Sequence, residues 1–153
     1  MSTLKEGDKA PDFTAKDQNG NTVSLADHKG KNIILYFYPK DDTPGCTAES
    51  CDFRDNYQSL LSKGYDVIGI STDDEKSHKK FETKYNLPFT LISDTEKAIV
   101  EAYGVWVEKN MYGKQYMGTA RTTFIINGDG IITHLISKVD TKNSSQQVLD
   151  LVK

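Results

Sequence analysis

Only two cysteines, one tryptophan and four prolines occur among the 153 residues, and no apolar run approaches the length needed to cross a membrane. Each shortage excludes something. Two thiols cannot supply the disulfide framework of a small secreted domain, and a chain of this size buries roughly 70% of the surface its unfolded form exposes, so it needs none. The start, Met-Ser-Thr-Leu-Lys-Glu-Gly-Asp-Lys, lacks the apolar core of a secretory leader, and the expectation is a cytoplasmic protein. With a net charge of -3 there is no basic field for nucleic acid or for an anionic membrane, and neither is expected as a partner. Metal ligands are short as well: two thiols leave a tetrahedral zinc site incomplete, and His28, His78 and His134 are scattered without ligand spacing. No metal or cofactor is expected. Repeats, low-complexity tracts and linkers are missing too, which reads as one domain over residues 1–153.

What is present is concentrated. The two cysteines, Cys46 and Cys51, stand five residues apart, directly after the apolar run Ile33-Ile-Leu-Tyr-Phe-Tyr and the turn Pro39-Lys-Asp-Asp-Thr-Pro-Gly. A strand feeding through Thr43-Pro44 into a helix sets the Cys46 thiol in the first helical turn, where unpaired N–H groups and the positive dipole end favour an anion. Such a thiol is expected to be rich in thiolate. In a reducing compartment a close cysteine pair reads as catalytic or metal-binding sooner than structural.

Strands are expected at Ile33–Tyr38, Asp66–Ser71, Phe89–Ile92, Thr122–Ile126 and Ile131–Ile136, after an N-terminal hairpin around Gln18-Asn-Gly-Asn, with Asn127-Gly-Asp-Gly turning between the last two. Helices are expected over 44–63, 74–85, 95–102 and 143–152. Ser93-Asp-Thr-Glu reads as a capping box, and Thr72-Asp-Asp-Glu puts carboxylates in a first helical turn, so neither acidic cluster requires a catalytic role. The alternation makes an α/β protein of thioredoxin-like plan, a central mixed sheet with helices on its faces.

On a helical wheel Cys46 shares a stripe with Phe53, Tyr57, Leu60 and Leu61, whereas Cys51 falls with Asp55, Gln58 and Ser62 on the wet side. Five helical residues separate Cα atoms by roughly 8 to 9 Å, beyond the reach of a disulfide. If the two thiols bond, the first turns must unwind.

The block Phe37-Tyr-Pro-Lys-Asp-Asp-Thr-Pro-Gly-Cys resembles the peroxiredoxin active site, Pro-x-x-x-Thr/Ser-x-x-Cys, here Pro39, Thr43 and Cys46. The second cysteine five residues on is similar to the bacterioferritin-comigratory, or PrxQ, branch. Gly7-Asp-Lys-Ala-Pro-Asp-Phe, Val67-Ile-Gly-Ile-Ser, Gly104-Val-Trp and Arg121-Thr-Thr-Phe extend the likeness over most of the chain. The resemblance implies a peroxidatic Cys46 that reduces hydrogen peroxide or organic hydroperoxides, and a resolving Cys51 that closes an intramolecular disulfide for thioredoxin or a similar dithiol to reduce. It further implies that Thr43 binds peroxide, Arg121 stabilises developing negative charge, Pro39 shields the pocket and Glu49 orients the arginine. PrxQ proteins are often monomers, which sets the expectation here.

Blander readings accompany these. Thr43 is a natural N-cap, Arg121 a solvated arginine, Pro39 a strand terminator, and residues 108–118 a mobile surface loop. Two other functions compete with a peroxidase: a thioredoxin-like disulfide oxidoreductase, against which stand the missing Cys-x-x-Cys and the Ala120-Arg121 found where such proteins carry a cis-proline, and a redox sensor or holdase switched by the cysteine pair.

Overall fold

Ile33 to Tyr38 is apolar at every position, and a strand covered on both faces accommodates such a run. In the computed structural model, which describes residues 4–152, most of it becomes an interior strand beside the middle strand of the sheet. Met1–Thr3, the beginning of the segment inspected for a leader, and Lys153 lie outside the described residues. Strand β3 (Asn32–Phe37) runs parallel to β4 (Tyr65–Ser71) on one side and antiparallel to β8 (Thr122–Ile126) on the other. The seven-stranded sheet is completed by β5 (Thr90–Ser93), the hairpin of β1 (Thr14–Asp17) and β2 (Thr22–Ser24), and β9 (Ile132–Ile136), in the order β2-β1-β5-β4-β3-β8-β9.

Alternating β3 side chains serve two apolar layers. Ile34 and Tyr36 pack with Phe53 and Leu60 of α1 (Pro44–Ser62), Phe81 of α2 (Glu75–Tyr85) and Val148 of α4 (Ser144–Leu151). Ile33, Leu35 and Phe37 pack on the other face with Ile99 and Val100 of α3 (Ala98–Ala102) and with Tyr103. Gly69 permits the tight fit under α1, since a Cβ there would lie 2.8 Å from the Tyr36 ring. Tyr36 then reaches Ser50 on α1, hydroxyl to hydroxyl at 2.8 Å. No helix among the described residues is long and apolar enough to cross a membrane.

Three expectations need correction, and one element was missed. The expected helix over 95–102 starts only at Ala98, because Ser93 is taken up by β5 and Lys97 enters the left-handed region; no capping box forms, and the Asp94 carboxylate accepts from the Val100 N–H instead. Residues 108–118 are not an irregular loop but most of a two-stranded ribbon, β6 (Trp106–Met111) and β7 (Lys114–Thr119), closed by Tyr112 and Gly113, both at positive φ. Leu61 is exposed despite its place on the Cys46 stripe, while its neighbour Leu60 fills the buried face of α1. A 3-10 turn at Leu25–His28 was not expected at all. At Asp74 the acidic helix start forms as expected, with the carboxylate accepting from the Ser77 N–H at 2.8 Å.

Candidate active site

The chain leaves β3 at Tyr38-Pro39, passes through Asp42 at φ 57 and an extended Thr43, and enters α1 at Pro44. Thr43 occupies the N-cap position, yet its hydroxyl caps nothing; it donates to the Lys40 carbonyl at 2.8 Å. That corrects the capping expectation and leaves the first-turn N–H groups without a side-chain cap. Cys46, the third helical residue, is fully buried in the layer containing Tyr36 and Phe53.

Arg121 arrives from the residue before β8. Its Nη2 donates to Cys46 Sγ at 3.3 Å and its Nη1 to Glu49 Oε1 at 2.8 Å. Glu49, one helical turn beyond Cys46, has a side chain with no exposure, and its Oε2 has no hydrogen-bond partner. Burial pushes this carboxyl up to about 7 even though Arg121 pulls the other way. Burial opposes charge on Arg121 in turn, but Cys46 and Glu49 outweigh it and hold the guanidinium above its ordinary value. Gly45 makes the approach possible: a Cβ there would stand 3.1 Å from Arg121 Nη2.

Of the residues singled out in the sequence, the fold thus joins Cys46, Glu49 and Arg121 directly. Thr43 sits at the mouth of the same helix with its hydroxyl turned to Lys40, and Pro39 is half-buried just after β3. Cys51 stands apart: α1 runs unbroken through both cysteines, both are free, and burial pushes the half-buried Cys51 thiol up.

Two features escaped the sequence. Lys109, whose stem crosses from β6 over Gly118, is pushed down by burial and by the charge of Arg121, with Cys46 opposing; the ribbon therefore brings a second cation into the field of the sulfur. Asp41, Asp73 and His78 converge with ligand atoms within 4.8 Å of one another. Their polar atoms are already engaged by Tyr38, Ser71, Ser77 and backbone groups, so the cluster is a hydrogen-bond network and not an open coordination site. Sequence gives no hint of it, since Asp41 and His78 are 37 residues apart.

Residues 6–135 match the AhpC/TSA family. The chain is 50% identical to a putative peroxiredoxin bcp of Coxiella burnetii, over 96% of this chain and 97% of that one, and 46% identical to peroxiredoxin Bcp of Bacillus subtilis, over 99% and 96%. Among solved structures, the Xanthomonas campestris bacterioferritin comigratory protein, studied for alkyl peroxide reduction, superposes with a TM-score of 0.87 at 35% identity, covering 98% of this chain and 96% of the other.

Proposed function

From the premise that the chain belongs to the AhpC/TSA family, as a peroxiredoxin of the Bcp kind, we propose a division of labour among its site residues. The protein is a thiol peroxidase. Cys46 attacks one oxygen of a hydroperoxide: an S–O bond forms, the O–O bond breaks, and the leaving oxygen departs as water or alcohol after taking a proton. The sulfenic acid on Cys46 is then attacked by the Cys51 sulfur, which expels water and closes a disulfide that thioredoxin or a similar dithiol reduces, restoring two thiols.

The observation that carries this reading is the Arg121 guanidinium 3.3 Å from a buried sulfur. Ionisation alone is a weak lever, because an ordinary thiol is already about 3% thiolate at neutrality and full ionisation gains some 30-fold. Enzymic accelerations begin near a million-fold, so alignment and charge stabilisation must supply the rest. Arg121 is placed to serve as counter-ion to the attacking sulfur and then to the leaving oxygen. Thr43, whose hydrogen is committed to Lys40 O, keeps its lone pairs free to accept from the peroxide O–H. Pro39 shields the pocket, and Glu49 holds Arg121 in line. The reading is completed by a monomer in the cytoplasm, where dithiol reductants are supplied.

The test is mass mapping of Cys46 and Cys51 after one equivalent of peroxide. A Cys46–Cys51 disulfide is expected, with no peroxide consumed by Cys46→Ser; oxidation confined to Cys51 overturns the assignment.

A further inference from the structure

Helix α2 buries only two side chains, His78 and Phe81, yet the face that includes them grips the turn between β3 and α1 at two successive residues. The first grip is on Asp41. Its Oδ2 lies 2.6 Å from His78 Nδ1 and accepts from Ser77 Oγ at 2.8 Å, while Oδ1 accepts from the Tyr38 hydroxyl at 2.6 Å. His78 Nε2 is 2.9 Å from the Ile92 carbonyl, which can only accept, so that nitrogen carries a hydrogen. The Nδ1 contact with the carboxylate then requires a proton of its own. Burial first, and the charge of Asp41 second, keep the Tyr38 phenol far above its ordinary value, so it remains a donor. The backbone N–H of Asp41 is held as well, by Asp73 Oδ2 at 2.8 Å. His78 is fully buried and the Asp41 side chain is only 4% exposed, where a polar group left without its partner is costly.

The second grip is on Asp42, whose left-handed backbone is uncommon for a residue with a side chain. Lys84 Nζ at 2.8 Å and Tyr85 Oη at 2.6 Å take its two carboxylate oxygens. The next residue is Thr43, and its hydroxyl closes the turn onto Lys40 O.

We propose that α2 clamps this turn through Asp41 and Asp42, and that His78 is a positioning residue which fixes Thr43 relative to Cys46 and Arg121. The proposal rests on the reading of Thr43 as the peroxide ligand. Arg121 lies before β8, which the clamp's hydrogen bonds do not reach, and α1, which carries Cys46, meets the clamp where Arg54 Nη1 donates to the Tyr85 carbonyl at 2.8 Å, about two turns beyond Cys46. Loosening it misplaces Thr43 and leaves the sulfur and its counter-ion together. Peroxide attack, which needs all three groups aligned, suffers; a reagent that needs only the sulfur does not.

The experiment uses the full chain with Cys51→Ser, so that only Cys46 reacts, and compares its oxidation by hydrogen peroxide with its alkylation by iodoacetamide. In His78→Leu the peroxide rate is expected to fall roughly ten- to a hundredfold, as displacement of about 1 Å at a reacting centre costs, with alkylation unchanged within about twofold. His78→Asn, whose amide can still donate to Asp41, should recover part of the loss. Tyr38→Phe removes one donor while keeping the ring, and should show the same split to a smaller degree even if His78→Leu fails to fold. Equal losses in both reactions, or none in either, overturn the clamp. Thr43→Val separates this from the underlying reading: if that variant keeps its peroxide rate, Thr43 is not the peroxide ligand, whereas if it is slow and the clamp variants are not, α2 has no part in positioning.

Discussion

Arg121 and Cys46 are 75 residues apart in the chain and 3.3 Å apart in space, nitrogen to sulfur. The guanidinium is still in partial contact with solvent, its side chain 22% exposed, whereas the sulfur it meets has no exposure. The cation, partly exposed, therefore lies between solvent and a sulfur that solvent does not reach.

Removing that cation should show in rate before it shows in stability. Arg121→Ala is expected to slow Cys46 oxidation by roughly a hundred- to a thousandfold, the cost of losing one preorganised donor at developing charge. Stopped-flow oxidation beside urea unfolding checks this, and an unaltered attack rate removes Arg121 from the site.

Gly45→Ala tests the same contact from the other side. Its Cβ would stand 3.1 Å from Arg121 Nη2, closer than ordinary packing, so the guanidinium must shift by a few tenths of an ångström. Alanine favours a helix by about 1 kcal/mol over glycine. The expected outcome is a protein at least as stable but several-fold slower toward peroxide; unchanged kinetics would mean that Arg121 tolerates displacement.

Glu49 gives stability a pH signature. Its carboxyl stands at about 7 in the fold against an ordinary 4.5, so the folded state binds the proton more tightly. The contribution is present in full below pH 4.5 and is lost as pH rises through about 7, on the order of 3 kcal/mol in all. Glu49→Gln should flatten that part of the urea-stability profile while keeping the bond from Arg121. An identical slope in both proteins assigns the proton elsewhere.

Cys51→Ser should leave one round of peroxide reduction intact and abolish recycling by thioredoxin, because only the resolving step is lost. Single-turnover peroxide consumption followed by steady-state turnover separates the two. Loss of the first turnover would contradict the division between the cysteines.

Closing the disulfide should also loosen the last helix. Asp52, next to Cys51, accepts from the Ser145 N–H at 2.7 Å with Oδ2, and its carbonyl accepts from the Ser145 hydroxyl at 3.3 Å, tying α1 to the first turn of α4. Unwinding α1 far enough for the two thiols to meet displaces Asp52. Hydrogen exchange is expected to quicken in the oxidised protein across residues 46–55 and at Ser145. A disulfide formed with exchange there as slow as in the thiol form would show that no unwinding is needed.

Much of the scaffold could be read from the chain because its signals are local. The run from Ile33 to Tyr38 had to be covered on both faces, Asp74 had to start a helix, and Asn127 to Gly130 had to turn. The ribbon β6–β7 could not be read so easily, because Glu108 to Met117 is mostly exposed and carries no alternation of apolar and polar residues; its one clue was Gly113 between two short runs. Thr43 misled for the opposite reason. A threonine before a proline is a strong capping signal, but its hydroxyl turns to Lys40 O and its oxygen accepts from none of the first-turn N–H groups.

By itself the sequence determined that a strand would deliver Cys46 to the first turn of a helix and that Cys51 would lie five residues on, since both follow from short-range backbone preferences. Tertiary structure alone decided that Arg121 would meet both that sulfur and Glu49, that Lys109 would join the sulfur's field, and that His78 would close on Asp41. Those contacts span tens of residues, and no local propensity encodes them; they exist because two apolar layers on one sheet fix where each element must stop.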